Sequence, residues 1–376
     1  MFERVVFNFK DLEVRVSDHT NDEILNLLDH TIHGEEGGMR YSLQNVSQRI
    51  KAYGDRIRFV SLYKKNHVTG TIGSCYRISG QGNLRYPSSY LKYLSIQPTY
   101  QTELNWRKHK ELIQQPETDE SFKQKTLDIF SKPHLLDLQE VFEGDKHIMY
   151  AFIESMNERS KNLVTQAGYE YVRSFLTLAF SRFSPKPDPR VSKAKEEEKE
   201  KIRDLLNSYY RNFSLFTTDY TFFGDNYYVL KEGDEIIAGA SAFQALHKIY
   251  DIPQIWGWVI MKVLPRMPYY RRLFHPGEFR FLIFDSIYCR EGHEKILGKF
   301  FESICAAEGY YTGLTWLDDR CNLYDKIRTE VNMGPLNRML NAKPGLVYIR
   351  FINLDEKEKE YFYESPAYIS GFDFSL

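Results

Sequence analysis

Residues 147–180 restrict the possible architectures of this chain more than any other stretch. Apart from His147, residues 147–153 are apolar, 157–169 read NERSKNLVTQAGY, and 171–180 are again mostly apolar. Asn157 suits a helix start, because its side-chain oxygen can accept a free first-turn N–H, and Gly168 suits the left-handed residue that closes a helix. The spacing predicts a strand, a short helix and a second strand in immediate succession.

Upstream, residues 12–16 alternate as a short strand, and Ile24, Leu27 and Leu28 sit at helical spacing within 22–31. Residues 58–63 and 69–78 are β-rich and joined by the turn 64–67, which predicts a hairpin. The same order recurs downstream. A helix over 196–212 precedes a strand at 227–230, the turn 231–234 and a strand at 235–243. A strand at 279–288, a helix over 294–308 and strands at 311–316 and 346–351 follow. Two diverged copies of one domain account for this order. Between them, 183–195 read FSPKPDPRVSKAK, whose prolines forbid a continuous helix. Domains over 1–183 and 196–376 with a linker at 184–195 are therefore expected. The adjoining run KEEEKEK, followed by Ile202, Leu205 and Leu206, reads as the solvated face of an amphipathic helix.

The segment 157–169 resembles one in the Gcn5-related N-acetyltransferases (GNATs), which runs Asn, two residues, Ala or Ser, two residues, Leu-Tyr, three residues, Gly-Phe. Asn157, Ser160, Leu163, Gly168 and Tyr169 hold those positions. The resemblance implies an α/β (α+β) fold of two acyl-CoA N-acyltransferase-like domains, each a mixed, mostly antiparallel sheet flanked by helices. It also implies acetyl-CoA or another acyl-CoA as co-substrate, lying between splayed fourth and fifth strands, no metal, and a small-molecule or peptide amine as acceptor. The family's general-acid tyrosine falls on Val164, which has no proton to donate. Glycines of the family's phosphate loop are missing after the expected fourth strand at 90–96, so Arg107, Lys108 and Lys110 would have to replace backbone amides there.

By the same resemblance, Ile287, Tyr288, Cys289, Arg290 and Gly292 are the second-half positions that would hold acyl-CoA, with Asn157 and Ser160 in the first half. Asp285 is the group expected to assist amine deprotonation. Tyr324, read on the Leu-Tyr position, is the expected acid. Glu291 and Glu294 would repel a pyrophosphate in that loop. Two alternatives stay open. One is a catalytically inactive GNAT-like binding module, which the degraded loops suit. The other is a tandem transferase with a larger acyl or aminoacyl donor, which the aromatic and basic insertion at 252–277 suits.

Composition removes other classes. With 376 residues, 42% of them hydrophobic and 15% aromatic, the chain can bury two cores. Fifty Lys and Arg against 51 Asp and Glu leave no overall electrostatic basis for binding nucleic acid. There is no C-x-x-C pair, H-x-x-x-H, G-x-S-x-G or Walker loop, which argues against zinc and hydrolase chemistry, and His30 and His33 read as a polar helix end. The N-terminal sequence lacks a basic-then-apolar signal pattern. The longest apolar run, 255–264, is interrupted by Lys262 and falls short of the roughly 20 residues a membrane span needs. A cytoplasmic protein with reduced thiols is expected.

Overall fold

The computed structural model describes residues 2–34, 38–80, 85–97, 125, 127–136, 141–252, 255–339 and 343–375. The first half runs β1 (Glu3–Phe9), β2 (Leu12–Ser17), α1 (Asp22–Asp29), β3 (Arg40–Leu43), α2 (Val46–Tyr53), β4 (Ile57–Lys64), β5 (His67–Ser79), β6 (Tyr86–Ile96), β7 (His147–Glu154), α3 (Glu158–Gln166) and β8 (Glu170–Ser181). The second runs β9 (Val191–Lys193), α4 (Lys199–Tyr209), β10 (Tyr227–Glu232), β11 (Glu235–Asp251), β12 (Phe279–Cys289), α5 (Leu297–Glu308), β13 (Thr312–Asp318), α6 (Asn322–Glu330), β14 (Gly345–Ile352), α7 (Glu356–Glu364) and α8 (Gly371–Ser375).

Local chemistry explains the elements that position the site. Asn21 caps α1 by accepting from the Ile24 N–H at 2.9 Å, and Ile24, Leu27 and Leu28 form its buried stripe. Lys65 and Asn66 both have left-handed φ, 49° and 64°, as the tight turn between the antiparallel strands β4 and β5 requires. Beyond Phe243, β11 continues to Asp251, longer than its apolar run predicts, because it pairs there with both β12 and β3. The helix expected over 196–212 is shorter, a 3₁₀ turn followed by α4. The insertion at 252–277 carries short helices at Ile255–Trp258 and Pro268–Leu273.

Among the described residues fourteen strands form one sheet, ordered β1-β2-β4-β5-β6-β7-β14-β8-β13-β12-β11-β10-β9, with β3 paired to β11. Its two ends mirror each other, but the centre is exchanged. The last strand of the second half, β14, lies beside β7 of the first, and β8 of the first lies beside β13 of the second. A continuous core joins the halves. Phe372, in the C-terminal helix, stacks on Tyr220 with ring centroids 4.3 Å apart and meets Tyr53 and Phe243 edge-on at 5.5 and 5.2 Å. Burying a side chain of this size contributes about 1.5–3 kcal/mol. Among the described residues no helix is long and apolar enough to cross a membrane.

Candidate functional site

Among the described residues the sheet has two parallel pairings, β6 with β7 and β12 with β13. The first ladder ends at Leu91↔Ala151 and the second at Ile283↔Leu314. Just beyond each end lies a bulge. Lys92 pairs with Gly73 and Ser95 with Thr71, so Tyr93 and Leu94 together oppose Ile72, and Tyr93 has φ 58°. Asp285 pairs with Ser241 and Tyr288 with Gly239, so Ser286 and Ile287 oppose Ala240, and Ser286 has φ 47°. A bulge bends its strand and increases the local twist, which parts it from its neighbour. Holding a non-glycine residue left-handed costs about 1–2 kcal/mol, which the surrounding packing must offset.

The two bulges fix a correspondence between the halves. Counting from Tyr90↔Tyr150 and from Ile283↔Leu314, Lys92 matches Asp285, and the α3 cap Asn157 matches Cys321, the α6 cap. Asn157 Oδ1 accepts from Ser160 N at 3.0 Å, and Cys321 Sγ accepts from Tyr324 N at 3.3 Å. Tyr324 thus stands at the Ser160 position in the first helical turn, and Arg328 matches Val164. Val164 itself is buried in the core under α3.

The first gap opens into a cavity of about 1030 Å³, lined by β6 from Tyr90 to Ile96, β7 from Ala151 to Glu154, one side of α3, and Asp373 with Phe374 from the C-terminal helix. Asn157 and Ser160 line it, and so do His30 and His33. Part of its wall is apolar, from Ile72, Leu91, Phe130, Leu163 and Val164. Gly168 closes α3 at φ 77°, where a Cβ would lie 2.1 Å from the Arg350 guanidinium. Arg107, Lys108 and Lys110 lie outside the described residues.

Lys92 is the buried cation of this cavity, 8% exposed. Its Nζ donates to the Tyr53 hydroxyl at 2.6 Å and to the Asp373 carbonyl at 3.0 Å, and it lies 4.2 Å from the centre of the Tyr93 ring. Burial pushes the amine down to about 7; Asp373 resists this, and Arg49 and Arg77 reinforce it. The Asp373 carboxylate is bound to the Arg77 guanidinium by two hydrogen bonds, one of 2.9 Å, and accepts from the Tyr53 hydroxyl at 3.2 Å. Burial works against the charge on Arg77, and Asp373 outweighs it. His33 is pushed down to about 4 by burial, with Lys92 and Arg49 adding to the effect. Tyr41 is pushed up by burial and by the Glu154 carboxylate. Among the described residues no three His, Cys, Asp or Glu side chains group as a metal site.

The second gap is covered by the chain's own C-terminal segment. A Cβ on Gly371 would stand 2.6 Å from Ile283 Cγ2 and 3.4 Å from the Trp316 ring, so this segment packs against both β12 and β13. Asp285 accepts from Tyr368 Oη at 2.6 Å, Phe372 N at 3.2 Å and Ser286 N at 2.7 Å, and burial raises its pKa in spite of them. Tyr324 is buried in α6. The Ile287 carbonyl accepts from Tyr210 Oη at 2.6 Å, and Tyr288 packs edge-on against Tyr209. Cys289 is buried and its thiol is pushed up to about 12. Arg290 pairs with Glu235 at 2.6 Å, and Gly292 takes a left-handed turn at φ 81°. None of these seven residues lines the cavity of the first half.

The structure brings Lys92 and Asp373 to the cavity, neither of which the sequence reading singled out. Lys92 had a visible signal, a cation inside the otherwise apolar run YLKYLSI. Asp373 had none, since only the return of the C-terminal segment brings it there.

No protein-family model and no curated protein matches the sequence. Solved structures do resemble the fold. The crystal structure of Saccharomyces cerevisiae N-myristoyltransferase with bound myristoyl-CoA is 11% identical, covers 93% of this chain and 85% of its own, and superposes with a TM-score of 0.55. A second structure of that enzyme, with bound myristoyl-CoA and inhibitors, is 10% identical over 92% of this chain and 81% of its own, with a TM-score of 0.54. A GCN5-related N-acetyltransferase from Anabaena variabilis is 11% identical over 89% of this chain and 72% of its own, with a TM-score of 0.44. At such identities the likeness concerns architecture. The chain therefore shares the fold of the N-myristoyltransferase structures, built here from two halves that repeat one order of elements.

Proposed function

We propose that the protein transfers an acyl group from an acyl-coenzyme A to the nitrogen of an amine, peptide or small molecule, in the cavity between β6 and β7. The observation that carries this reading is the open end of the β6–β7 ladder, with the start of α3 at its edge and Lys92 in the wall of the cavity. The residues present fit the donor. Strand backbone beyond the ladder can bond an extended pantetheine arm, the dipole at the start of α3 favours electron-rich oxygen, and the apolar wall suits an acyl chain.

The chemistry asks little of the side chains. The amine nitrogen bonds to the acyl carbon, the carbon–sulfur bond breaks, and one proton passes from nitrogen to the departing thiolate. Lys92, pushed down to about 7, exists in both protonation states near neutral pH and can take that proton and hand it on. It thereby takes the part of the tyrosine that Val164 displaces.

Calorimetric titration of the full chain with acetyl-CoA, longer acyl-CoAs and free coenzyme A tests the reading. Saturable binding of at least one acyl-CoA is expected. No detectable binding of any donor at high concentration overturns it.

A further inference from the structure

Residues 252–277, between β11 and β12, contain no Asp or Glu; the bracketing carboxylates are Asp251 and Glu278. The segment forms an elbow. The helix Ile255–Trp258 continues through a π turn at Val259–Val263 and a 3₁₀ turn at Leu264–Arg266, Met267 is extended, and a second helix covers Pro268–Leu273. One side anchors it. Ile260, Leu273 and Phe274 are buried, and the Leu273 carbonyl accepts from Thr312 Oγ1 at 2.8 Å.

The other side faces solvent. Trp258 and Tyr269 are each 65% exposed and Met267 is 44% exposed. Trp258 and Lys262 lie four residues apart, on neighbouring turns of the helical stretch. The Arg272 guanidinium lies 5.7 Å over the Tyr269 ring. Lys262, Arg266, Arg271 and Arg272 are exposed, and among the described residues none of them forms an ion pair. Single exposed aromatics are ordinary on a protein surface. Three large apolar side chains set among four uncompensated cations, on a chain of net charge −1, form a local basic and apolar patch that calls for a partner.

We propose that this elbow docks on the surface of an anionic phospholipid bilayer, with Trp258, Met267 and Tyr269 entering the headgroup region and the four cations meeting lipid phosphates. Trp and Tyr with Lys and Arg are the side chains that favour a membrane–water interface. With 50 Lys and Arg against 51 Asp and Glu, the chain as a whole offers no electrostatic basis for a polynucleotide, which favours lipid. The proposal is independent of the chemistry assigned to the cavity.

Vesicle flotation of the full chain tests it, using phosphatidylcholine alone and phosphatidylcholine mixed with phosphatidylglycerol. The protein is expected to float with the mixed vesicles, less so as salt is raised, and only weakly with phosphatidylcholine. Each cation near an anionic surface multiplies the partition coefficient by about fivefold, so Arg271→Glu with Arg272→Glu should lower it by more than about tenfold. Trp258→Ala with Tyr269→Ala should also lower it. All four positions are exposed, so thermal melts should match the wild type. Lys51→Glu with Lys357→Glu, the same charge change elsewhere on the surface, should leave flotation unchanged. The proposal is overturned by no flotation with mixed vesicles at low salt, by flotation that the elbow variants leave intact or the control pair reduces equally, or by binding to an oligonucleotide in place of vesicles.

Discussion

Lys92 and Asp285 stand at the same point in the two halves. Each lies just before a left-handed bulge residue, on a strand whose parallel ladder has just ended. One backbone arrangement thus presents an amine in the first gap and a carboxylate in the second. What differs is what lies in front of them. Asp285 is occupied by Tyr368, Ser286 and Phe372, whereas Lys92 lines a cavity of substrate size.

If Lys92 carries the proton, Lys92→Met lowers kcat/KM by about 10²–10⁴-fold. In the wild type kcat/KM rises as pH passes through about 7, where the amine loses its proton, and the variant lacks that limb. Initial rates of coenzyme A release across pH measure both effects.

The same shift has a signature in stability. The Lys92 pKa is about 7 in the folded chain and 10.5 ordinarily, so the unfolded chain binds more protons between those values. The contribution of Lys92 to stability therefore grows as pH rises across that window. Urea unfolding from pH 7 to 10 should show a shallower rise with pH for Lys92→Met than for the wild type.

His33 and His147 are pushed down to about 4 and about 3 from 6.5, both mainly by burial. Below pH 6.5 the unfolded chain takes up protons that the folded chain refuses, so these residues lower stability as pH falls towards 3. Unfolding free energies at pH 7 and pH 5 check this, with the lower value expected at pH 5.

Asp373→Asn leaves the Arg77 guanidinium buried without its carboxylate and is expected to destabilise the protein by about 3–5 kcal/mol. Phe372→Ala removes a ring packed against both halves and should cost about 3–5 kcal/mol. Asn157→Ala, which removes only a helix cap, should cost about 1 kcal/mol while weakening acyl-CoA binding. Chemical denaturation and calorimetry separate the two kinds of loss.

What was legible in the sequence was what is local. The cap at Asn157, the left-handed Gly168 and the strands beside α3 follow from neighbouring residues alone. The repeated order of elements was legible for the same reason. The exchange of β8 and β14 was not, because a strand's neighbours are set by distant chain. Asp285 read as a base since nothing near it in sequence announces that Tyr368 and Phe372 return to enclose it. Tyr324 read as the motif tyrosine, while the Cys321 cap puts it in the first turn of α6.

Hydrogen exchange of the full chain, with and without a saturating acyl-CoA, tests most directly the claim that the first-half gap is the donor site. Slower exchange is expected in 92–96 and in the first turn of α3, with 286–290 and the first turn of α6 unchanged. Protection at 286–290 and the start of α6, with 92–96 unaffected, would contradict it.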